Sequence, residues 1–183
     1  MPHPPQELPY RNDGYGDFVL SVNRLDRAKR IDLLLEAAAL DPALRVVVTG
    51  EGPDRERLET LARERGLNGR AEFTGRVGDD ELAALYGRCL AVFYAPVDED
   101  FGMVPFEAFL SEKPVVTTTD AGGPLEIVHD RETGVVVAPE PRAVAEACAY
   151  LGGHVDEAKA WGRAGKAVAE RVTWDACIDA LLS

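Results

Sequence analysis

Two glutamates, Glu99 and Glu107, stand with seven residues between them in the stretch Val97-Asp98-Glu99-Asp100-Phe101-Gly102-Met103-Val104-Pro105-Phe106-Glu107-Ala108-Phe109. An apolar run, Leu90 to Ala95, precedes it and reads as a strand closed by Pro96. A helix is expected from about Gly102 or Met103. Pro105 fits its first turn, where a backbone N–H has no partner to lose. Glu99 then falls in the strand-to-helix loop and Glu107 about one turn into the helix. Between them lies a helix N-terminus whose free N–H groups can take an anion. A carboxylate accepts from two adjacent hydroxyls. Two such acceptors around an anion site suit a ligand carrying both hydroxyls and phosphate, and a nucleotide sugar is one. Two carboxylates also serve hydrolytic acid–base chemistry, and the spacing alone does not choose between the two readings.

The positive groups that a phosphate needs stand elsewhere in the chain. The loop Val22-Asn23-Arg24-Leu25-Asp26-Arg27-Ala28-Lys29-Arg30 holds four cations. Arg24 and Lys29 can converge on a diphosphate, one as a bidentate fork and the other as a mobile point charge. A solvated basic loop before a helix is the plainer alternative. Gly50-Glu51-Gly52-Pro53 permits close backbone approach to a ligand, or a tight turn. The third glycine of the dinucleotide fingerprint is missing. Gly75-Arg76-Val77 offers backbone amides to the edge of a base, and Gly122-Gly123 offers them to a sugar or phosphate. Each has an ordinary turn as its alternative.

The elements that must position these groups alternate along the chain. Strands are predicted at 18–22, 45–49, 71–74, 90–95, 114–118 and 134–137. Helices are predicted at 32–39, from Asp54 to about Arg65, from Asp79 to Tyr86 with Asp79 or Asp80 as cap, and from 103 to about 111. A short helix follows near Pro124 to Val128, and two or three more follow from Arg142. Strands followed by helices imply right-handed βαβ units and a parallel sheet covered on both faces. The continuous valine runs agree, since a strand buried on both sides need not alternate. The expected fold class is α/β: a Rossmann-like, doubly wound six-stranded parallel sheet with extra C-terminal helices. Ligands bind such sheets beyond the carboxyl ends of the strands, where each candidate group above falls.

The chain has 183 residues, 46% hydrophobic and 28% charged, which suits a soluble globular domain with a substantial core. Residues 1–16 read as a linker or extended arm, and 17–183 as one domain. The net charge of −12 argues against nucleic acid and anionic membrane surfaces as partners, since both reward basic patches. No run approaches the roughly 20 apolar residues that span a bilayer. The start, Met1-Pro2-His3-Pro4-Pro5, does not read as a signal peptide. Cys89, Cys148 and Cys177 are far apart in apolar surroundings and read as reduced core residues. No Cys/His/Asp cluster has metal-ligand spacing, so no metal is expected. The expected location is the cytoplasm.

From about Phe18 to Trp174 the sequence resembles the C-terminal half of a GT-B glycosyltransferase of the large retaining family called GT4, or group 1. The most specific match is the Glu99-x7-Glu107 stretch. Arg24 with Lys29, Gly50-Glu51-Gly52-Pro53, Phe73-Thr74-Gly75-Arg76-Val77, Lys113-Pro114-Val115-Val116 and Gly122-Gly123-Pro124-Leu125-Glu126 accompany it in order. The resemblance implies one half of a GT-B fold that binds a nucleoside-diphosphate sugar. Arg24 and Lys29 would neutralise the donor diphosphate and stabilise it as leaving group. Glu107 would hold the ribose hydroxyls, and Glu99 the donor sugar. Phe101, Gly102, Met103 and Val104 would lie by the phosphates, Arg76 and Val77 by the base, and Gly50, Gly52, Gly122 and Gly123 around the donor. Such enzymes retain anomeric configuration and need no cofactor or metal within this fold. Removing one charge contact to the leaving group would cost on the order of 10²–10³ in rate.

The sequence departs from that pattern at Asn23, Arg30 and Glu112, where glycine is frequent. Asn23 matters most, because a side chain there would crowd the phosphates. The resemblance also implies a preceding acceptor-binding domain that this sequence does not contain. That domain would make any contact with the inner face of the membrane. The segment alone is then expected to bind nucleotide but to transfer little or no sugar. A noncatalytic module binding a nucleotide or sugar phosphate is the alternative. A GT-B relative such as an epimerase or phosphorylase fits the glutamate context less well.

Overall fold

The computed structural model describes residues 8–172. β1 (Phe18–Val22) leads through a 3-10 turn (Arg27–Lys29) to α1 (Ile31–Leu40). β2 (Arg45–Thr49) is followed by α2 (Arg55–Glu64), and β3 (Ala71–Gly75) by α3 (Asp79–Arg88). β4 (Ala91–Phe93) is followed by α4 (Val104–Leu110), and β5 (Val115–Thr118) by a second 3-10 turn (Gly123–Glu126). β6 (Gly134–Val137) precedes α5 (Pro141–Gly153) and α6 (Val155–Ala169). All six strands are parallel, in the order β3-β2-β1-β4-β5-β6. The direction of winding reverses between β1 and β4, so the loops leaving those two strands diverge and open a crevice.

The valine runs are buried on both sides. Val19, Val46, Val48 and Phe93 face a layer containing Leu34, Leu58 and Val144 of α1, α2 and α5. Leu20, Val47 and Val92 point the other way, onto Leu85 and Tyr86 of α3 and Phe106 and Phe109 of α4. Alternate residues of one strand therefore serve two cores, as the pleat requires. α6 crosses between the layers, with Ala158 and Trp161 in the first and Ala169 in the second.

Several local expectations are corrected. Neither Asp79 nor Asp80 caps α3. The helix begins at Asp79 with Gly78 in extended conformation before it and no side-chain cap. Asp79, Asp80 and Glu81 instead occupy the first turn, where negative charge meets the positive end of the helix dipole. The segment after β5 is a 3-10 turn rather than a helix running to Val128. β4 is shorter than 90–95, because the chain beyond Tyr94 turns out of the ladder and gives its Ala95 and Pro96 carbonyls to the Arg30 guanidinium.

Residues 8–16 run across α3 and α4. Asp13 and Gly16 donate their amides to the carbonyls of Gly87 and Arg88 at 2.8 and 2.9 Å. Lys113, wholly buried, holds this arm by donating to Asn12 Oδ1 at 3.0 Å and to the Gly14 carbonyl, with its ammonium 3.9 Å from the centre of the Tyr15 ring. Cys89 and Cys148 are buried free thiols, and burial pushes both up to about 12. Cys177 and Trp174 lie outside the described residues. Among the described residues no helix is long and apolar enough to cross a membrane.

Candidate functional site

A cleft of about 590 Å³ opens beyond the carboxyl ends of β1, β2, β3 and β4. Arg24 and Lys29 reach it from the β1 loop, Gly50 from the β2 loop, and Arg76 and Val77 from the β3 loop. Tyr94 reaches it from the end of β4, Met103 from the residue before α4, and Val104 and Glu107 from α4. Eight of the residues singled out in the sequence thus share one surface. They come from the segments that follow four different strands, because parallel strands deliver all their carboxyl ends to one edge.

The four cations of the β1 loop divide in two. Arg24 is 74% exposed at the rim, with Asp26 at a loose 3.8 Å. The Lys29 ammonium is a quarter or less exposed and pairs with the Glu99 carboxylate. Arg27 turns towards Asp54 at 3.9 Å, and Arg30 forks onto Asp120 at 2.9 and 2.7 Å. Only Arg24 and Lys29 line the cleft, so half of that positive charge serves packing between loops.

The two glutamates are held differently. Glu99 sits in the loop before α4, bridged by its backbone to Gly122, with its carboxylate on Lys29 and the Tyr94 hydroxyl 3.4 Å away. Glu107 lies in the first turn of α4 and accepts a 2.6 Å hydrogen bond from the fully buried Tyr86 hydroxyl. Burial raises the Glu107 carboxyl above the usual range, and the Tyr86 and Tyr10 phenols partly oppose the rise. Burial and the Glu107 charge together push both phenols up. Tyr10 arrives from the arm and meets the Tyr86 ring edge-on at 6.1 Å. Its hydroxyl faces Glu107 at longer range than a well-formed hydrogen bond. Among their described partners, then, one carboxylate is neutralised by an ammonium and the other is set between phenols. That arrangement suits hydroxyl recognition better than paired acid–base hydrolysis.

Of the two readings the sequence left open for the glycines, the structure shows tight backbone packing, with Gly50 also lining the cleft. A Cβ on Gly50, at φ 125°, would fall 1.9 Å from the Asn23 carbonyl oxygen, and one on Gly52 would fall 2.2 Å from that of Leu25. Both are glycine because the β1 and β2 loops touch backbone to backbone. Gly122 and Gly123 likewise lie against the backbone of Glu99 and Asp100, at 2.6 and 2.3 Å for the added Cβ. Gly102 is covered by the Tyr94 ring, and Phe101 packs on Phe106 at 5.3 Å between ring centres. Gly52, Phe101, Gly102, Gly122 and Gly123 therefore stand behind the cleft wall, shaping it.

The departures at Arg30 and Glu112 share one backbone property. Both residues are left-handed, at φ 49° and 56°, a conformation glycine adopts freely. Their side chains offset the strain, Arg30 on the β4 and β5 ends and Glu112 on Lys166 and Asn12 at 2.9 and 3.1 Å. Asn23 folds back and donates to Ser21 Oγ at 3.0 Å, and is 9% exposed. Sequence reasoning missed Tyr10, Tyr86 and Tyr94. A tyrosine at the carboxyl end of a strand, as Tyr94 is, was the available signal.

A family model described as glycosyl transferases group 1 matches residues 9–168. The alpha-1,3/1,6-mannosyltransferase ALG2 of Mus musculus is 32% identical over 181 residues, covering 88% of this chain and 43% of its own length. The D-inositol 3-phosphate glycosyltransferase of Mycobacterium avium is 34% identical over 175 residues, covering 91% of this chain and 41% of its own. The chain thus spans less than half the length of these curated relatives. Among solved structures, sucrose-phosphate synthase from Thermosynechococcus elongatus matches with a TM-score of 0.82 at 28% identity, over 91% of this chain and 44% of that one. Anabaena HepE, solved with UDP and glucose, matches in fold with a TM-score of 0.81 at 23% identity, over 91% of this chain and 47% of that one.

Proposed function

Since the chain belongs to the glycosyl transferases group 1 family, we propose that it binds a nucleoside-diphosphate sugar and serves as the donor half of a retaining glycosyltransferase. The observation that carries this reading is the cleft at the switch point, which is lined by Arg24, Lys29 and Glu107 together. Cations and a half-buried carboxylate acceptor along one cleft match a diphosphate joined to a ribose. The UDP held by HepE in a related fold supports it.

Arg24, free at the rim, and Lys29 bind the diphosphate and stabilise the charge that grows on it as the sugar departs. Lys29 and Glu99 meet at the sugar end, where the carboxylate accepts from sugar hydroxyls. Glu107 accepts from the ribose diol, its geometry set by Tyr86. Arg76 and Val77 lie by the base, and Met103 and Val104 on the floor of the cleft. In this reading Arg24 and Lys29 do the electrostatic work on the leaving group without a metal, and no cofactor is needed beyond the donor. Acceptor binding belongs to a domain outside these residues, so this chain alone transfers little sugar. We place the reaction in the cytoplasm, in keeping with the buried free thiols Cys89 and Cys148.

Thermal shift with UDP, GDP and ADP tests the reading, since a ligand that binds only the folded state raises stability by mass action. A shift with at least one of them, lost in Arg24→Ala and Glu107→Ala, is expected. No shift with any at millimolar concentration overturns it.

A further inference from the structure

Arg30 sits in the left-handed region, φ 49° and ψ 42°, at the joint between the first 3-10 turn and α1. A glycine would hold that backbone without strain, so the arginine is there for its side chain. The guanidinium makes five hydrogen bonds: to the Ala95 and Pro96 carbonyls at 2.8 and 2.9 Å, to Thr118 Oγ1 at 2.6 Å, and to both Asp120 oxygens at 2.9 and 2.7 Å. Its side chain is 17% exposed. One residue thus ties the ends of β4 and β5 to the start of α1.

The segment carrying Glu99 hangs from those same two ends. Asp98 donates its amide to the Asp120 carbonyl at 3.1 Å, and Glu99 donates to that of Ala121 at 3.0 Å. Gly123 returns a bond to the Glu99 carbonyl at 2.7 Å, and Val97 donates to Ala28 at 3.0 Å. Lys29, which meets the Glu99 carboxylate, is Arg30's chain neighbour. Both halves of the Lys29–Glu99 pair are therefore anchored through Arg30.

We propose that Arg30 is a positioning residue: it sets the 97–100 segment on the end of β5 so that Glu99 meets Lys29 at the sugar end of the donor cleft. This rests on the donor-site reading above. Its consequence is selective. Arg30 acts on recognition of the sugar through Glu99, and leaves recognition of the nucleoside diphosphate to Arg24 and Glu107.

Calorimetric titration of the full chain with UDP, UDP-glucose, GDP and GDP-mannose tests it. The wild type is expected to prefer the sugar nucleotide of one base over its diphosphate. Arg30→Gly relieves the backbone strain and should fold. It should keep diphosphate affinity within about twofold while losing about tenfold on the sugar nucleotide, the scale of a charged hydrogen bond. Arg30→Lys restores charge without the fork and recovers only part of the loss. With Glu99→Gln already in place, Arg30→Gly should cost nothing further, because residues acting through one contact are not additive. Equal losses on both ligand types in Arg30→Gly, or additivity in the double variant, overturn the inference, as does a wild type with no preference for a sugar nucleotide. A wild type that binds none of the four ligands overturns the donor-site reading itself, and the inference with it.

Discussion

The Tyr86 hydroxyl donates to Oε2 of Glu107 at 2.6 Å, joining α3 to α4 inside the layer that covers one face of the sheet. A fully buried phenol thereby fixes a carboxylate at the edge of the cleft. Tyr86 donates one proton and the Tyr10 hydroxyl makes no well-formed hydrogen bond, so the Glu107 carboxylate keeps accepting capacity for a ligand hydroxyl.

Replacing Tyr86 by Phe keeps the ring and removes that donor. The half-buried carboxylate loses a partner, which costs about 1 kcal/mol of stability. If Glu107 accepts from a ribose diol as proposed, binding of UDP or GDP should weaken more than binding of the 2′-deoxy nucleotide. Denaturant unfolding and calorimetry with the two nucleotide forms check both parts.

Nucleotide affinity should fall as pH drops through the raised Glu107 pKa, because protonation removes an acceptor from the diol. Titration from about pH 8 down to about pH 4 reads this, and Glu107→Gln should bind weakly and flatten that part of the profile. Stability moves in the opposite sense. A carboxyl with a folded-state pKa above its unfolded one contributes stability below the unfolded pKa, and the contribution is lost as pH rises through the folded value. Glu107→Gln should therefore melt at or above the wild-type temperature at neutral pH while losing its nucleotide shift.

Lys113 is wholly buried, and desolvation pulls its ammonium below the ordinary lysine range. Its bonds to Asn12 and Gly14 and its place over Tyr15 hold the arm against the domain. Lys113→Ala should cost about 3 kcal/mol and expose residues 8–16 to limited proteolysis. Lys113→Met, which refills the volume, should cost less.

α6 reaches α4 closely because Gly162 and Gly165 lie at their crossing. An added Cβ would fall 1.9 Å from the Glu112 carbonyl oxygen at Gly162, and 2.2 Å from the Phe109 ring at Gly165. Alanine in a helix interior gains about 1 kcal/mol of propensity over glycine. Overpacking a core costs about 1–3 kcal/mol, so the steric term should win at both sites. The loss should be larger at Gly162, where backbone rather than a side chain must give way. Melting temperatures of the two variants decide it.

The Glu99-x7-Glu107 spacing was legible because loop, proline and helix start lie within one short stretch. What each glutamate touches was not. Lys29 lies 70 positions from Glu99, and Tyr86 lies 21 from Glu107. The paired glycines show the same limit from the other side. Gly50, Gly52, Gly122 and Gly123 announced a close approach, but what approaches is neighbouring backbone. Of four cations in one loop the sequence singled out Arg24 and Lys29, and those two line the cleft, but it did not show that Arg27 and Arg30 turn to Asp54 and Asp120. Their directions depend on a 3-10 turn and a left-handed residue that the apolar pattern does not report.

By itself the sequence determined the class of fold and the edge of the sheet where most of the candidate residues gather. Hydrophobic period and glycine punctuation are local, and local order settles which segments become strands and helices. Only the tertiary structure decided the strand order, the partners of Glu99 and Glu107, and the bonds that tie Arg30 to the ends of β4 and β5. Those depend on which surfaces meet when six strands are laid side by side, and side chains far apart in the chain become neighbours only then.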